Sequence, residues 1–479
     1  MILFLTSPLA YLLLSYHFII NTQSRCCDAS VLWGDPLIAQ RCLLIADDLT
    51  GGADAGAQFA KRGLRTVLIS LLDDARIDFS KYFLPDALVI NTDSRGLSPE
   101  KAFLKVSNLL KRFDQKLFPI IYKKIDSTLR GNIGYEIDAI LKETNGSLCF
   151  MAPTYPEQKR TLVGGILIVG EKPLALTEVA RNTSSPIQES HVYKILQNQS
   201  QNNVGWIDLT HVASSHERLR KMVDEERKKG NQIIIFDAVS RGDLKNIVEA
   251  AFYVERIPLF VGSAGLAEEV AKKLVPLKAK AFQKLKSFKH ILIVSGTASS
   301  VTHQQLKQVE KRGTPSFQLT ASFILGEDAK AERQRKDLSR KIANSLPQGI
   351  NILKTPSEML DSEDSTGPPI HLKITKTLAS VALLALKASK IKPTELALIL
   401  TGGETAQHVI NGLETEGIEI EGELLEGIVR GHLIGGDWGG LTVVTKAGAF
   451  GKEDALEKIV RMIETGSPSA KEEKNEGLN

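Results

Sequence analysis

Short apolar runs recur along the chain, and each ends in a polar or glycine-rich cluster before an amphipathic stretch begins. In the first part these runs are LLIADD, ALVINTDSR, IIYKKIDS, LCFMAPTYP, IIIFDAVSR and LFVGSAG. Runs apolar at successive positions suit strands buried on both faces. The stretches between them carry helical spacing. Over 98–113, Ser98 can cap a helix, Pro99 takes its first position, and Phe103, Val106 and Leu110 share a face. Ile133, Ile137 and Leu141 mark another helix. Strand and helix in alternation predict an α/β fold of two domains, each a mostly parallel sheet flanked by helices.

Two domains also follow from the length of 479 residues, too long for one ordinary core. The lysine-rich stretch Leu274–His290 breaks the strand pattern and reads as the linker. The expected division is 41–275 and 289–466, with 276–288 between them and a polar, disordered tail at 467–479. The second alternation runs through HILIVSGT, a helix over Gln304–Glu310, ELALILTGGETA and LTVVTKAGAFG, with DSEDSTGPP (361–369) as a surface loop.

Residues 1–40 stand apart. The stretch MILFLTSPLAYLLLSYHFII is apolar, but no Lys or Arg precedes it, Pro8 and His17 interrupt it, and Arg25 is its first basic residue. A mis-assigned start, a leader peptide and a membrane anchor are the three readings. The first is preferred because the remainder reads as a cytoplasmic enzyme, which makes membrane association a secondary expectation. Composition supports that: 43% hydrophobic and 24% charged residues are typical of globular proteins. A net charge of +4 gives no pull toward nucleic acid. Cys26, Cys27, Cys42 and Cys149 form neither a disulfide framework nor a metal motif, as expected in a reducing compartment.

The chemistry gathers at predicted strand ends. Asp47 and Asp48 close the first strand, followed by Thr50, Gly51 and Gly52 at a helix start and by Asp54 inside it. In open α/β sheets ligands bind at that edge, and helix N-termini favour anions. An N-cap role accounts for one of these carboxylates, not for all. Asn91, Thr92, Asp93, Ser94 and Arg95 end another strand. Lys123 to Gly134 places Lys124, Ile125, Asp126, Ser127, Thr128, Arg130 and Asn132 at a third. Lys and Arg can clamp a carboxylate or phosphate, while Asp, Ser, Thr and Asn read hydroxyls. The inferred ligand is small, anionic and rich in hydroxyls.

The second domain uses glycine instead. Its strand ends are Ser295-Gly296-Thr297, Thr401-Gly402-Gly403-Glu404-Thr405 and Thr445-Lys446-Ala447-Gly448. Such turns let backbone amides approach phosphate oxygens, and Lys446 can neutralise phosphate charge. Neither a P-loop pattern nor a dinucleotide fingerprint is present, which sets a dehydrogenase aside.

Taken together, IADDLTGGAD, NTDSR, KKIDSTLRGNIG, APTYPEQKR, SGTASSVTHQQ, TGGETA and TKAGAFG resemble the four-carbon acid sugar kinases, from about Cys42 to about Gly466. The resemblance implies an N-terminal acid-sugar domain and a C-terminal ATP domain. It implies ATP-dependent phosphorylation of the terminal hydroxyl of threonate, erythronate or 3-oxo-tetronate to the 4-phosphate. Substrate contacts would be Asp47 or Asp48, Arg95 and the Lys124–Ser127 segment. Nucleotide contacts would be Ser295, the Gly402–Thr405 turn and Gly448. Asp126 and Asp48 are the candidate proton acceptors, Asp126 preferred. Mg2+ would bridge the phosphates through waters and few protein ligands. A homo-oligomer is compatible with this reading.

Some positions depart from the family pattern. Lys159-Arg160-Thr161-Leu162-Val163-Gly164 stands where a Gly-Arg-Thr-Thr run leading to Asp-Gly is usual, so Gly164 replaces an acidic residue. Asn182-Thr183 replaces Asp-Pro, and Gly427-Ile428-Val429 replaces a Gly-Val-Pro turn. These changes bear on the substrate, and they raise a second hypothesis: a ligand-binding sensor of weakened catalysis.

Overall fold

The computed structural model describes residues 41–467, except 71–83, 147, 182–186, 276–284, 298, 321–323, 325, 327–328, 357–369 and 449. The expectations for 1–40, 361–369, Asn182-Thr183 and nearly all of the tail fall outside the described residues.

Among the described residues the main sheet has 15 strands. Its N-terminal half runs, from the outer edge inward, Val204–Ile207, Ile233–Phe236, Cys149–Ala152, Leu259–Gly262, Ile120–Lys124, Cys42–Ala46, Ala87–Asn91 and Thr66–Ser70. Every pairing there is parallel. The C-terminal half continues through Gly417–Leu425, Ile428–Ile434, Thr442–Lys446, Leu396–Thr401, His290–Ser295, Ile350–Lys354 and Ser316–Gln318. Its last five strands are parallel to one another. The Gly417–Ile434 hairpin joins the halves through antiparallel pairing, Ile418 opposite Leu68. The expected α/β architecture is therefore present, with the two parallel arrays fused edge to edge.

The strand Cys42–Ala46 is buried at all positions, as a central strand covered on both faces must be. Leu49–Ala60, the helix after it, lies close on the sheet because its glycines allow it. A Cβ at Gly52 would sit 3.1 Å from Ala46 Cβ and from Val89 Cγ1. The helix read from Ser98 is Pro99–Lys111, with Ser98 as its N-cap. The helix marked by Ile133, Ile137 and Leu141 is Ile133–Glu143, all three side chains buried. Only part of the expected linker is described, and there Leu285 and Phe288 are buried in the core formed with helix Ala455–Thr465. Phe288 N–H donates to Ile463 C=O at 2.9 Å, so this stretch packs rather than hangs free.

Candidate active site

The ends of three neighbouring strands carry the charged cluster. Arg95, beyond Ala87–Asn91, forks onto Asp47 through Nε and Nη2 at 2.8 and 2.9 Å, and the same Nη2 reaches Asp48 Oδ1 at 2.8 Å. Beyond Ile120–Lys124, Arg130 forks onto Asp126 at 2.6 and 2.9 Å, and Thr128 donates to the same carboxylate. Asp47 is 2% exposed. Burial pushes its pKa up, but Arg95, Lys123 and Lys124 outweigh that and hold it below the usual carboxylate range. Burial likewise opposes Asp126, and Arg130 and Arg95 overcome it, keeping this carboxyl ionised well below its ordinary range.

Beneath this ring lies a second charged layer. Lys123 and Glu136 are both fully buried and 2.7 Å apart, and Ser94 donates to Glu136. Lys124 points to the opposite face, as strand alternation requires. Its Nζ donates to Ile125 C=O at 2.7 Å and would lie 3.0 Å from a Cβ at Gly51. Ile125 itself is a core residue, so only its main chain faces the charged cluster. Ser127 is buried beside it.

Asp48 is also the N-cap of Leu49–Ala60, accepting from Gly51 N–H at 3.0 Å and Thr50 Oγ1 at 2.9 Å. Asp54, deeper in that helix, is buried with Oδ1 unpartnered. Burial, opposed by Lys124 and Lys61, raises its pKa to about 6. Backbone strain collects at the same edge, with Asp93, Leu129 and Lys159 in the left-handed region at φ 47°, 59° and 55°.

The glycine turns of the C-terminal half converge on Thr297. A Cβ at Gly402 would lie 3.4 Å from Thr297 Cβ, and one at Gly448 would collide with Thr297 Oγ1. Gly402, at φ 92°, precedes helix Gly403–Gly412 and offers no side-chain cap, which leaves first-turn amides for a ligand. Glu404 lies in that first turn, and Thr405 is buried. Ser295 is buried under the turn and accepts from Thr401 Oγ1 at 2.7 Å. Lys446 is fully buried. Its Nζ donates to Thr302 Oγ1, Ala447 C=O and Gly448 C=O at 3.0, 3.1 and 3.4 Å. Burial lowers its pKa to about 7. It braces the turn that carries Gly448 from below.

The halves meet at these two clusters. A Cβ at Gly403 would sit 3.0 Å from Asp48 Oδ2 and 3.3 Å from Thr50 Oγ1. One turn along the same helix, Gln407 donates to Ser70 and accepts from Asn91, both at ends of the N-terminal strands. Glu423 of the joining hairpin pairs with Lys61 and accepts from Gln58 at 3.1 Å. The charged cluster and the glycine turn thus lie against each other. Gln407, Glu423 and the Lys123–Glu136 layer escaped the sequence reading. Helical spacing from Gly403 to Gln407 was the available signal, but its partners lie more than 300 positions away in the chain.

Two departures from the family pattern have local explanations. Lys159 sits at φ 55°, ψ 40°, a conformation suited to the glycine usual there. Gly164 and Gly165, at φ 61° and 71°, form the two-residue turn of the hairpin Arg160–Val163/Ile166–Val169. Their amides donate to Asp237 at 2.7 and 3.0 Å.

A family model described as a sugar-binding N-terminal domain matches residues 42–270, and one described as a nucleotide-binding C-terminal domain matches 292–456. A D-threonate kinase of Salmonella typhimurium is 30% identical over 88% of this chain and 98% of its own length. This chain belongs to the four-carbon acid sugar kinase family. The kinase is also 28% identical to a D-erythronate kinase of Heliobacterium modesticaldum, over 86% of this chain and 94% of that protein. A 3-oxo-tetronate kinase of Pseudomonas fluorescens is 25% identical over 88% and 97%. A crystal structure from Salmonella typhimurium shares the fold, with a TM-score of 0.72 and 21% identity over 87% of this chain and 98% of that one. The kinase is thus a phosphotransferase whose C-terminal domain binds nucleotide. No helix among its described residues is long and apolar enough to cross a membrane.

Proposed function

We propose that this kinase transfers the γ-phosphoryl group of ATP to the terminal hydroxyl of a four-carbon acid sugar, giving the 4-phosphate. D-Threonate, D-erythronate and 3-oxo-tetronate are the candidate acceptors. The observation that carries this reading is the approach of Gly403 to Asp48, which brings an uncapped helix N-terminus against a ring of paired carboxylates and cations. In the step proposed, the hydroxyl oxygen bonds to the γ-phosphorus while the bond to the bridging oxygen breaks. ADP leaves with that electron pair, and the hydroxyl proton passes to an aspartate.

Asp48 is the acceptor the geometry favours over Asp126. Asp126 is forked by Arg130 and held well below the usual range, which makes it a weak base, whereas Asp48 faces the nucleotide turn. Arg95 and Lys124 would orient the acid group, and the amides following Gly402 would hold the phosphates. Among the described residues no group of His, Cys, Asp and Glu is arranged to bind a metal by itself. A Mg2+ carried in by the nucleotide would need few protein ligands, and Glu404 in the first turn after Gly402 could reach its water shell. Bound there, Mg2+ would neutralise phosphate charge.

The test is ADP formation by the full chain with each acid, followed by phosphorus NMR of the product. Turnover with one acid and an ester at its terminal carbon is the expected result. Silence with all three, with ATP still bound, sinks the substrate assignment. Asp48→Asn should abolish turnover while leaving nucleotide binding intact. Full activity in that variant removes Asp48 from the proton step.

A further inference from the structure

The cations around this site are mostly committed. Arg95 serves Asp47 and Asp48, Arg130 serves Asp126, Lys123 serves Glu136, and Lys61 serves Glu423. Lys446 spends its three protons on Thr302 and two carbonyls. Arg160 differs from all of them. It opens the hairpin strand Arg160–Val163, where its backbone exchanges two hydrogen bonds with Tyr155 just beyond Cys149–Ala152. Its Nη1 donates to Gln158 C=O, whereas its Nε is buried without any partner. Among the described residues no carboxylate pairs with it, although Asp126, Arg130 and Glu426 are among the charges acting on it. Its guanidinium carbon lies 5.9 Å from the ring centroid of Phe450, which belongs to the glycine loop after Thr442–Lys446. A side chain of the acid-sugar half therefore rests on an aromatic ring of the nucleotide half.

The side chain is half-buried, and its buried Nε, left without a partner, is costly unless a ligand satisfies it. Its guanidinium reaches from beside Asp126 and Arg130 to the loop that follows Thr442–Lys446, and its planar fork suits phosphate oxygens. We propose that Arg160 binds the transferring phosphoryl group, with Phe450 holding the guanidinium at the junction of the two halves. This assignment rests on the kinase reading above and adds a residue to it.

Kinetics of Arg160→Gln and Arg160→Lys against each of the three acids test it. Because the contact tightens in the transition state, kcat should fall by about 100- to 1,000-fold in Arg160→Gln. KM for ATP and for the acid should stay within about threefold. Arg160→Lys keeps the charge and the stem but not the fork, and should recover little of the loss. A large rise in the acid's KM at unchanged kcat would instead make Arg160 a ground-state ligand of the acid group and overturn the proposal. A second readout needs no acceptor: the affinity for ADP with aluminium fluoride, compared with ADP alone. Arg160→Gln should weaken the former at least about tenfold and leave the latter unchanged. Equal affinities for parent and variant overturn the assignment. If the parent phosphorylates none of the acids, the substrate reading fails, and the aluminium fluoride measurement still decides Arg160.

Discussion

The strand ends of the two halves of this kinase are built by opposite means. The N-terminal half uses side-chain charge: Arg95 across Asp47 and Asp48, Arg130 across Asp126, and the buried Lys123–Glu136 pair underneath. The C-terminal half uses backbone, with Gly296, Gly402 and Gly448 packed around Thr297 and Thr405 and one lysine bracing the loop. A small acid bearing several hydroxyls needs donors and acceptors fixed in direction, which ion-paired side chains provide. A chain of phosphates is suited by several amides at close range, which glycine turns and helix starts provide. The first half should therefore break on losing a charge and the second on gaining a methyl group.

The most severe break is Asp47→Ala. It leaves Arg95 with Asp48 alone and removes a buried countercharge from Lys123, and loss of one partner from such a network costs about 3–5 kcal/mol. Denaturant unfolding measures it, and a loss below about 1 kcal/mol would mean that the ring does not hold this half together.

Lys446 provides a pH test confined to the other half. Its folded pKa, lowered by burial to about 7 from 10.5, gives stability that is present above the unfolded value and lost as pH falls through about 7. The stability of the parent should thus fall from pH 10 to 7 by on the order of a few kcal/mol relative to Lys446→Met. Parallel pH curves for parent and variant would show that this lysine keeps its charge in the folded state.

Gly403→Ala should act on function alone. The added Cβ, 3.0 Å from Asp48 Oδ2, sits where the two halves touch. Nucleotide affinity should fall about tenfold, equivalent to about 1.4 kcal/mol, with stability nearly unchanged. Calorimetry with ATP and thermal unfolding separate the two effects. An unchanged affinity would sever the glycine turn from the nucleotide. The smallest effect is Lys159→Gly, which relieves a left-handed residue and should stabilise by about 1 kcal/mol in the same unfolding assay.

Much of this site can be read along the chain because its groups sit at strand ends, and an apolar run stopped by Asp, Arg or Gly is a local signal. Asp47, Asp48, Arg95, Lys124, Asp126 and Arg130 all announce themselves that way. Ile125 shows the limit of reading by segment, since its side chain belongs to the core. Arg160 keeps the arginine of the family run while its neighbour Lys159 departs from it, and nothing local distinguishes a surface arginine from one resting on a distant ring.

The alternation of apolar runs and amphipathic stretches determined the α/β class, the helix Pro99–Lys111 with its Ser98 cap, and the two kinds of strand end. These depend on burial and hydrogen bonding within a few residues, so sequence spacing encodes them. Three things were decided only by tertiary structure: fusion of the two arrays through Ile418 and Leu68, the Gln407 bridge, and the approach of Gly403 to Asp48. Each joins positions hundreds of residues apart, and such contacts arise from how the sheets pack, which no local pattern carries.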